Sequence, residues 1–213
     1  MKYAIFFFTF LLTILYFIFV LNSNMKYLLI WFAINFLIFT IAYYFNKPSM
    51  ILGKNRDGIC NKFLMIINLP WILFTQIIFR MQVFCIKEDF ANKIAHTNIW
   101  ISRRPLENDN LDKFSLVIDL TAEFTRDLNA KNYICIPNLD AHYLKNIEII
   151  DKKFKNSNIL VHCANGHGRS SIFVALLMLK WNYATNIKQA LEMIKASRKF
   201  AVPNRNQISK IKI

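Results

Sequence analysis

Hydrophobic residues are concentrated at the start of this chain of 213 residues. Residues 4–21 contain no charged side chain, and residues 27–45 are similar, with a single Asn35. Each stretch approaches the roughly 20 apolar residues that cross a hydrocarbon core of about 30 Å. We therefore predict a transmembrane helical hairpin, connected at 22–26, within an anchor of residues 1–62. A cleaved signal peptide is the alternative for the first stretch, but there is no small-x-small cleavage site and a second apolar stretch follows at once.

A third apolar stretch, residues 63–86, has a different pattern. Polar residues such as Asn68 and Gln76 interrupt it, so a spanning helix and an interfacial helix both remain open. Short cytoplasmic loops carry an excess of Lys and Arg. If only the first two stretches span, every basic residue up to Lys93 except Lys26 falls on one side, whereas a third span would divide them almost evenly. This distribution favours an interfacial or re-entrant helix in a multi-pass membrane protein whose remaining chain is cytoplasmic.

From residue 87 onward, short apolar runs alternate with polar segments. The runs with the length and composition of strands are 99–102, 115–120, 133–136 and 159–161. The predicted helices are a weak one at 88–95, an amphipathic one at 143–154 with Tyr143, Ile147, Ile150 and Phe154 on one stripe, and one from Asn186 to near Arg198. Strands that alternate with helices predict an α/β domain over residues 87–213, with a mainly parallel central sheet flanked by helices.

The last predicted strand runs into a glycine-containing loop, which is followed by a predicted helix at 171–179. At such a junction several backbone N–H groups lack helical partners and point to one spot, and the helix dipole adds positive potential there. Glycines allow the loop to curl closely around a ligand. The pattern predicts a site for a phosphate-sized dianion. The predicted substrate-binding residues are Ala164, Asn165, Gly166, His167 and Gly168.

Cys163 lies at the mouth of this loop, where the same field would stabilise the thiolate, which is the nucleophilic form of cysteine. Arg169 follows six residues later, and its planar guanidinium can bind two phosphoryl oxygens at once. Ser170 can hydrogen-bond the sulfur and help it leave. These residue types in this order predict nucleophilic phosphoryl transfer at the cysteine.

The sequence His-Cys-x5-Arg-Ser at 162–170 resembles the signature of the cysteine-dependent protein tyrosine phosphatases, and the dual-specificity branch is the most similar. The resemblance covers roughly residues 98–205. It implies that Asp140, which follows a strand ending in proline and stands 23 residues before the cysteine, is the general acid. This short spacing is similar to that of compact bacterial members, as are Arg-Arg-Pro at 103–105 and Asp-Leu-Thr-Ala-Glu-Phe at 119–124.

Two side chains near the loop, Asp140 and Glu123, have more than one interpretation. Asp140 would also suit the cap of a helix beginning near His142, although the role of general acid is favoured. Glu123 either hydrogen-bonds Arg169 from the neighbouring strand end or lies exposed in a turn, and the turn is favoured. His162 is interpreted as a structural donor that helps to shape the loop.

The net charge and the cysteine content limit the kinds of binding partner that the sequence predicts. The formal net charge is +14 and both halves of the chain are basic, which favours attraction to an anionic membrane surface, although lysine is abundant throughout. The sequence has no zinc-finger spacing, aromatic-basic RNA motif or helix-turn-helix pattern, so nucleic acid is not a predicted partner.

The four cysteines show no paired spacing, so neither a metal site nor a disulfide framework is predicted. A catalytic thiolate also suits the reducing cytoplasm.

The sequence thus predicts a membrane-anchored phosphatase that acts through a phosphocysteine. No metal or other cofactor is expected, because backbone amides and Arg169 supply the positive charge. The loop offers no lysine for additional phosphates, only Ala164, Asn165 and the imidazole of His167, which favours a phosphatidylglycerophosphate-like phospholipid monoester. A membrane-proximal phosphoprotein is the alternative substrate. A catalytically silent phosphate-binding module is a further alternative, which the presence of Cys163 disfavours.

Overall fold

The computed structural model describes residues 2–21, 23–126, 130, 132–140, 142, 144 and 150–208, except for the side chains of 205 and 206. In these ranges, five helices come first: α1 Lys2–Val20, α2 Met25–Phe45, α3 Ser49–Leu52, α4 Lys62–Ile67 and α5 Leu69–Cys85. The described strands are β1 Ala91–Lys93, β2 Ile99–Ser102, β3 Leu116–Thr121, β4 Tyr133–Asn138 and β5 Ile159–His162. A 3-10 turn at Lys152–Phe154 precedes β5, and the later helices are α6 Gly168–Lys180, α7 Ile187–Ser197 and α8 Arg205–Ile208.

Helices α1 and α2 form an antiparallel pair held by aromatic side chains. Phe7 contacts Tyr43 and Phe39, with ring centroids 5.2 and 5.3 Å apart, and Phe10 stacks on Phe36 at 5.6 Å. At 1.5 Å per residue the two helices are about 29 and 32 Å long. By length and composition both are able to cross a membrane. The two predicted apolar helices are confirmed.

The third apolar stretch is broken into α4 and α5 at Asn68. The buried side chain of Asn68 donates to the Ile51 carbonyl at 2.7 Å. The carbonyl of Ile67 accepts hydrogen bonds from the side chains of Trp31 and Asn35 on α2, each at 2.7 Å. These bonds hold the junction between α4 and α5 against α2 and α3. Helix α5, with 17 residues, is shorter than the two candidate spans.

The described residues of the second part form a five-stranded sheet in the order β1-β2-β5-β3-β4. Strands β2, β5, β3 and β4 are parallel to one another, and β1 pairs antiparallel with β2 at the edge. The four predicted strands correspond to β2, β3, β4 and β5. The predicted α/β class with a mainly parallel sheet is confirmed.

Two other predictions for this part have different outcomes. The weak helix predicted at 88–95 is wrong, because Ala91 pairs with Ser102 in the β1–β2 ladder and backbone pairing at the sheet edge outweighs a weak helix propensity. Most of the helix predicted at 143–154, including Tyr143 and Ile147, lies outside the described residues. The described remainder contains the buried Ile150 and the 3-10 turn.

Helices α6 and α7 cover one face of the sheet. Phe173 of α6 and Ile194 of α7 are buried together with Val161 of β5. The opposite face carries a smaller cluster around Val117 and Leu160. Every residue of β5 is therefore buried, and the end of this central strand provides a fixed support for the loop that follows it.

The loop between α3 and α4 connects the apolar helices to the sheet. The side chain of Lys54 is fully buried, and its Nζ lies 2.6 Å from Oδ2 of Asp119 in β3. The Tyr133 hydroxyl donates to the same oxygen at 2.5 Å, and the backbone N–H of Thr121 donates to Oδ1 at 2.7 Å. Burial by itself would raise the pKa of Asp119, but the ammonium of Lys54 outweighs it and holds that pKa below its ordinary value. The predicted anchor, residues 1–62, thus contributes a charged side chain that is buried against β3.

Candidate active site

The glycine-containing loop connects β5 to α6 at the centre of the carboxyl edge of the sheet. Because β5 lies between β2 and β3, the ends of two neighbouring strands adjoin the loop. Gly166 has a φ of +73°, and a side chain at this position would overlap the backbone carbonyl of Ser102 at the end of β2. The backbone N–H of Arg104 donates to the Ala164 carbonyl at 2.8 Å. Only glycine satisfies both the conformation and the close approach at position 166.

The start of α6 directs unsatisfied donors to this loop. The helix is 13 residues long, so its first-turn N–H groups and its dipole favour an anion at its N-terminus. Two buried atoms, Nε of Arg169 and Oγ of Ser170, have no hydrogen-bond partner within the part of the chain that the structure describes. Cys163 is buried at the base of the loop, close enough to interact electrostatically with Arg169. The residues predicted as nucleophile, anion ligand and sulfur donor therefore converge on one site.

Arg169 is held by a two-pronged ion pair with Glu123. Its Nη2 lies 2.5 Å from Oε1 and its Nη1 lies 2.9 Å from Oε2 of that carboxylate, and Nη1 also donates to the Asn138 carbonyl at 2.9 Å. Burial would lower the pKa of Arg169, but the charge of Glu123 outweighs it and raises the pKa well above the ordinary value. The favoured interpretation of Glu123 as an exposed turn residue is wrong. The guanidinium is fixed and permanently charged, with Nε left for a ligand.

Asp140 lies just beyond β4 at the opening of the site. Its Oδ1 is 3.8 Å from Nε of Arg169, and its side chain is 52% exposed. The helix that it was alternatively expected to cap lies mostly outside the described residues. A carboxyl group that faces the anion site and also reaches solvent can exchange a proton with both the ligand and water.

His167 points away from the centre of the loop. Its Nε2 lies 2.7 Å from Oε2 of Glu88. Arg198 donates from Nη2 to the same oxygen at 2.9 Å and to the Asn165 carbonyl at 3.2 Å. The imidazole that was predicted as a phosphate ligand is therefore directed to Glu88. Glu88 and Arg198 brace the outside of the loop, and neither was a predicted site residue.

His162 supports the loop from below. Its Nδ1 lies 3.3 Å from the Cys163 carbonyl and 3.8 Å from Oδ1 of Asp119. Burial lowers the pKa of His162, and the nearby carboxylate of Asp119 opposes this effect only in part. The ring is therefore neutral at neutral pH and acts as a polar support beneath the cysteine.

The site opens into a cleft of about 270 Å³ with two chemically different ends. The polar end is lined by Glu123, Asp140, Ala164, Asn165 and Arg169. The other end is lined mainly by aromatic residues of the apolar helices, among them Tyr3, Phe6, Phe7, Phe39, Tyr43, Trp71 and Phe74. Sequence reasoning assigned these helices to anchoring alone. They also form a wall of the cleft.

Helix α5 is hydrogen-bonded directly to the glycine-containing loop. The Asn165 side chain donates from Nδ2 to Oε1 of Gln82 at 2.9 Å. Six residues earlier on α5, Oε1 of Gln76 accepts from Nη1 of Arg104 at 3.2 Å. The polar residues that interrupt this apolar helix thus contact the domain that carries the site.

A known protein family matches the part of the chain that carries this site. The family model described as dual specificity phosphatase, catalytic domain, matches residues 102–212. Among solved structures, Tk-PTP in the active form is 22% identical, with 56% of this chain and 92% of that chain covered and a TM-score of 0.47. Human DUSP28 is 12% identical, with 57% and 90% covered and a TM-score of 0.44. PTPMT1 in complex with PI(5)P is 17% identical, with 57% and 91% covered and a TM-score of 0.46. No curated protein matches the chain.

Proposed function

Since this chain belongs to the dual specificity phosphatase family and is a cysteine-dependent phosphatase, we propose that it hydrolyses a phospholipid monoester at the membrane surface. The observation that carries this proposal is the cleft. Its polar end is the catalytic loop, and its other end is built from aromatic side chains of the apolar helices. A phospholipid monoester has the same arrangement, with a phosphate at one end and apolar carbon at the other.

We assign the first chemical step to Cys163, Arg169 and Asp140. The thiolate of Cys163 attacks phosphorus, the S–P bond forms and the bond to the leaving oxygen breaks, while Asp140 gives its proton to that oxygen. The loop amides and Arg169 hold the phosphoryl oxygens as charge spreads over them. Glu123 is a positioning residue, because it fixes the guanidinium through the ion pair described above.

In the second step, water attacks the phosphocysteine. Asp140, now a carboxylate, accepts a proton from that water, the S–P bond breaks, and inorganic phosphate and the thiolate of Cys163 are released. The hydroxyl of Ser170, which has no hydrogen-bond partner among the described residues, is available to donate to the departing sulfur. At the end of the cycle Asp140 is protonated again and Cys163 is again a thiolate, so the enzyme has returned to its starting state.

We also propose that α1 and α2 span the membrane and that the catalytic domain, from residue 87 onward, lies in the cytoplasm. The connection between the two helices is at the end far from the cleft, whereas Tyr3 and Tyr43 at the opposite end line it. The excess of basic residues falls on the catalytic side, as the positive-inside rule requires. The contacts of Gln76 and Gln82 keep α5 against the catalytic domain, which supports an interfacial position for residues 63–86.

The loop also favours a substrate with a single phosphate group. Residues 164–168 contain no lysine or arginine, and the ring of His167 is engaged with Glu88. Further phosphates would have few cationic partners in this part of the site. A phosphoprotein near the membrane is the second candidate, because the polar end of the cleft is equally suited to a phosphotyrosyl side chain.

We expect the full-length enzyme in mixed micelles to show a kcat/KM at least about tenfold higher for a phosphatidylglycerophosphate-like lipid than for phosphotyrosyl peptides, because the lipid fills both ends of the cleft. Phosphate release from both substrates in identical micelles measures this ratio. The same phosphorylated headgroup without acyl chains is the matched control and should be a poor substrate. A clearly higher kcat/KM for the peptides would replace the lipid by a phosphoprotein.

A further inference from the structure

A second cavity, of about 250 Å³, lies beside the cleft among the apolar helices, and we name it the helix cavity. The residues that line both spaces are Phe6, Phe39, Trp71 and Phe74. The helix cavity extends beyond them to Phe10 on α1 and Phe36 on α2. Because these four side chains line both spaces, the helix cavity and the cleft are direct neighbours.

The helix cavity lies farther from the catalytic loop than the cleft does. Tyr3, in the first turn of α1, lines the cleft, whereas Phe10 lines the helix cavity. These positions are about 10 Å apart along a helix. On the antiparallel α2 the order is reversed, with Tyr43 at the cleft and Phe36 at the helix cavity. The two spaces therefore follow one another along the apolar helices, and the cleft is the one that reaches Arg169.

The walls of the helix cavity determine what it can hold. Phe10 and Phe36 stack with their ring planes 12° apart, so they present flat aromatic carbon. Asn35 also lines the space, but its amide group donates to the Ile67 carbonyl at 2.7 Å and thereby holds the helices together. Apart from Asn35 the lining consists of aromatic rings and Pro70, which favours an apolar occupant. Since the space adjoins the cleft, the apolar part of a molecule whose phosphate lies at the loop is near enough to enter it.

We infer that the helix cavity binds the part of an acyl chain that adjoins the headgroup of the lipid substrate. This inference rests on the proposed function and deepens it, because the apolar helices become part of the substrate site as well as an anchor. Each additional methylene that moves from water into the cavity should raise kcat/KM about fourfold until the cavity is filled. Longer chains should then give a plateau.

The test uses full-length protein in one neutral detergent and a series of single-chain alkyl phosphates of increasing length, each supplied as a monomer below its critical micelle concentration. The readout is kcat/KM for each length divided by kcat/KM for a soluble aryl phosphate, which corrects for the fraction of correctly folded enzyme. For the wild-type protein we expect a rise of about fourfold per methylene followed by a plateau. Phe10→Trp reduces the cavity, so its plateau should come earlier, with the ratio for the longest chains about tenfold lower. Phe10→Ala enlarges the cavity and should move the plateau to longer chains.

Phe8→Trp is the matched control, because Phe8 lies on the same helix, is exposed to a similar extent (47% against 44% for Phe10) and lines neither space. Its chain-length profile should equal that of the wild-type protein. If lipid phosphates are good substrates but the profile is flat, or if both Phe10 variants leave it unchanged, the inference is overturned while the proposed function stands. If no alkyl phosphate is hydrolysed better than the soluble headgroup, both are overturned.

Discussion

Replacement of Cys163 by serine is expected to lower the rate of phosphate release by at least about 10⁴-fold. A serine hydroxyl remains protonated at neutral pH, whereas the cysteine attacks as the thiolate. The loop amides and Arg169 are unchanged in this variant, so inorganic phosphate should still bind with similar affinity. Steady-state turnover of an aryl phosphate measures the first effect, and calorimetric titration with inorganic phosphate measures the second.

Cys85→Ser is the matched control for this experiment. Cys85 is an exposed cysteine at the end of α5, so the same chemical change there should leave turnover near that of the wild-type protein. If Cys163→Ser kept most of its activity, the covalent mechanism would be lost, because no other nucleophile has been assigned. If phosphate binding disappeared together with turnover, the loop itself would depend on the sulfur.

Lys54→Met is expected to destabilise the protein by about 3–5 kcal/mol, because it leaves the carboxylate of Asp119 buried without its cation. The ammonium of Lys54 also donates to the Thr121 carbonyl at 3.0 Å, and this bond is lost as well. Denaturant unfolding of the full-length protein in detergent micelles measures the change. Adding Asp119→Asn to the variant should recover part of the loss, since the buried charge is then removed.

The loss caused by Lys54→Met should depend on pH. In the wild-type protein the pKa of Asp119 is held below its usual value of about 3.9, so this contribution to stability is complete above that pH and is lost as the pH falls further. Without Lys54, burial raises the pKa of Asp119, and the folded variant takes up a proton as the pH falls. The difference between the two proteins should therefore be largest at neutral pH and shrink towards pH of about 4. Lys62→Met, an exposed lysine in the same region, should change stability by less than about 0.5 kcal/mol at any pH.

The strands and the catalytic loop were predictable because their signals are local. An apolar run, two glycines and a fixed Cys-to-Arg spacing lie within one short segment, so no knowledge of distant residues is needed. The hydrophobic length of α1 and α2 is equally local. The same reasoning failed at residues 88–95, where pairing with β2 determines the conformation and the segment's own propensity is weak.

The ion pairs that support the site could not be predicted, because each of them joins two distant segments of the chain. Lys54 and Asp119 are 65 residues apart, and Arg198 and Glu88 are 110 apart. In the sequence, Lys54 is one basic residue among many near the membrane. Nothing in the local pattern indicates that its side chain is buried against β3.

Glu123 was considered as a partner of Arg169 because it follows a strand whose end lies near the loop. The sequence alone could not decide between that pairing and an exposed turn, since both suit a polar residue after a strand. No sequence pattern indicated that aromatic residues of the apolar helices line the cleft. Apolar helices that anchor a protein and apolar helices that also line a site have the same composition.

The most direct test of the phosphocysteine mechanism is to identify the phosphorylated residue in the Asp140→Asn protein during turnover of an activated aryl phosphate. The first step should proceed because this leaving group needs little protonation, whereas hydrolysis should be slow because no carboxylate activates water. Rapid quenching and mass spectrometry of the peptides should find one phosphoryl group on Cys163, together with a burst of about one aryl alcohol per enzyme. Undiminished phosphate release with Cys163 unmodified, or a phosphoryl group on another residue, would contradict this mechanism.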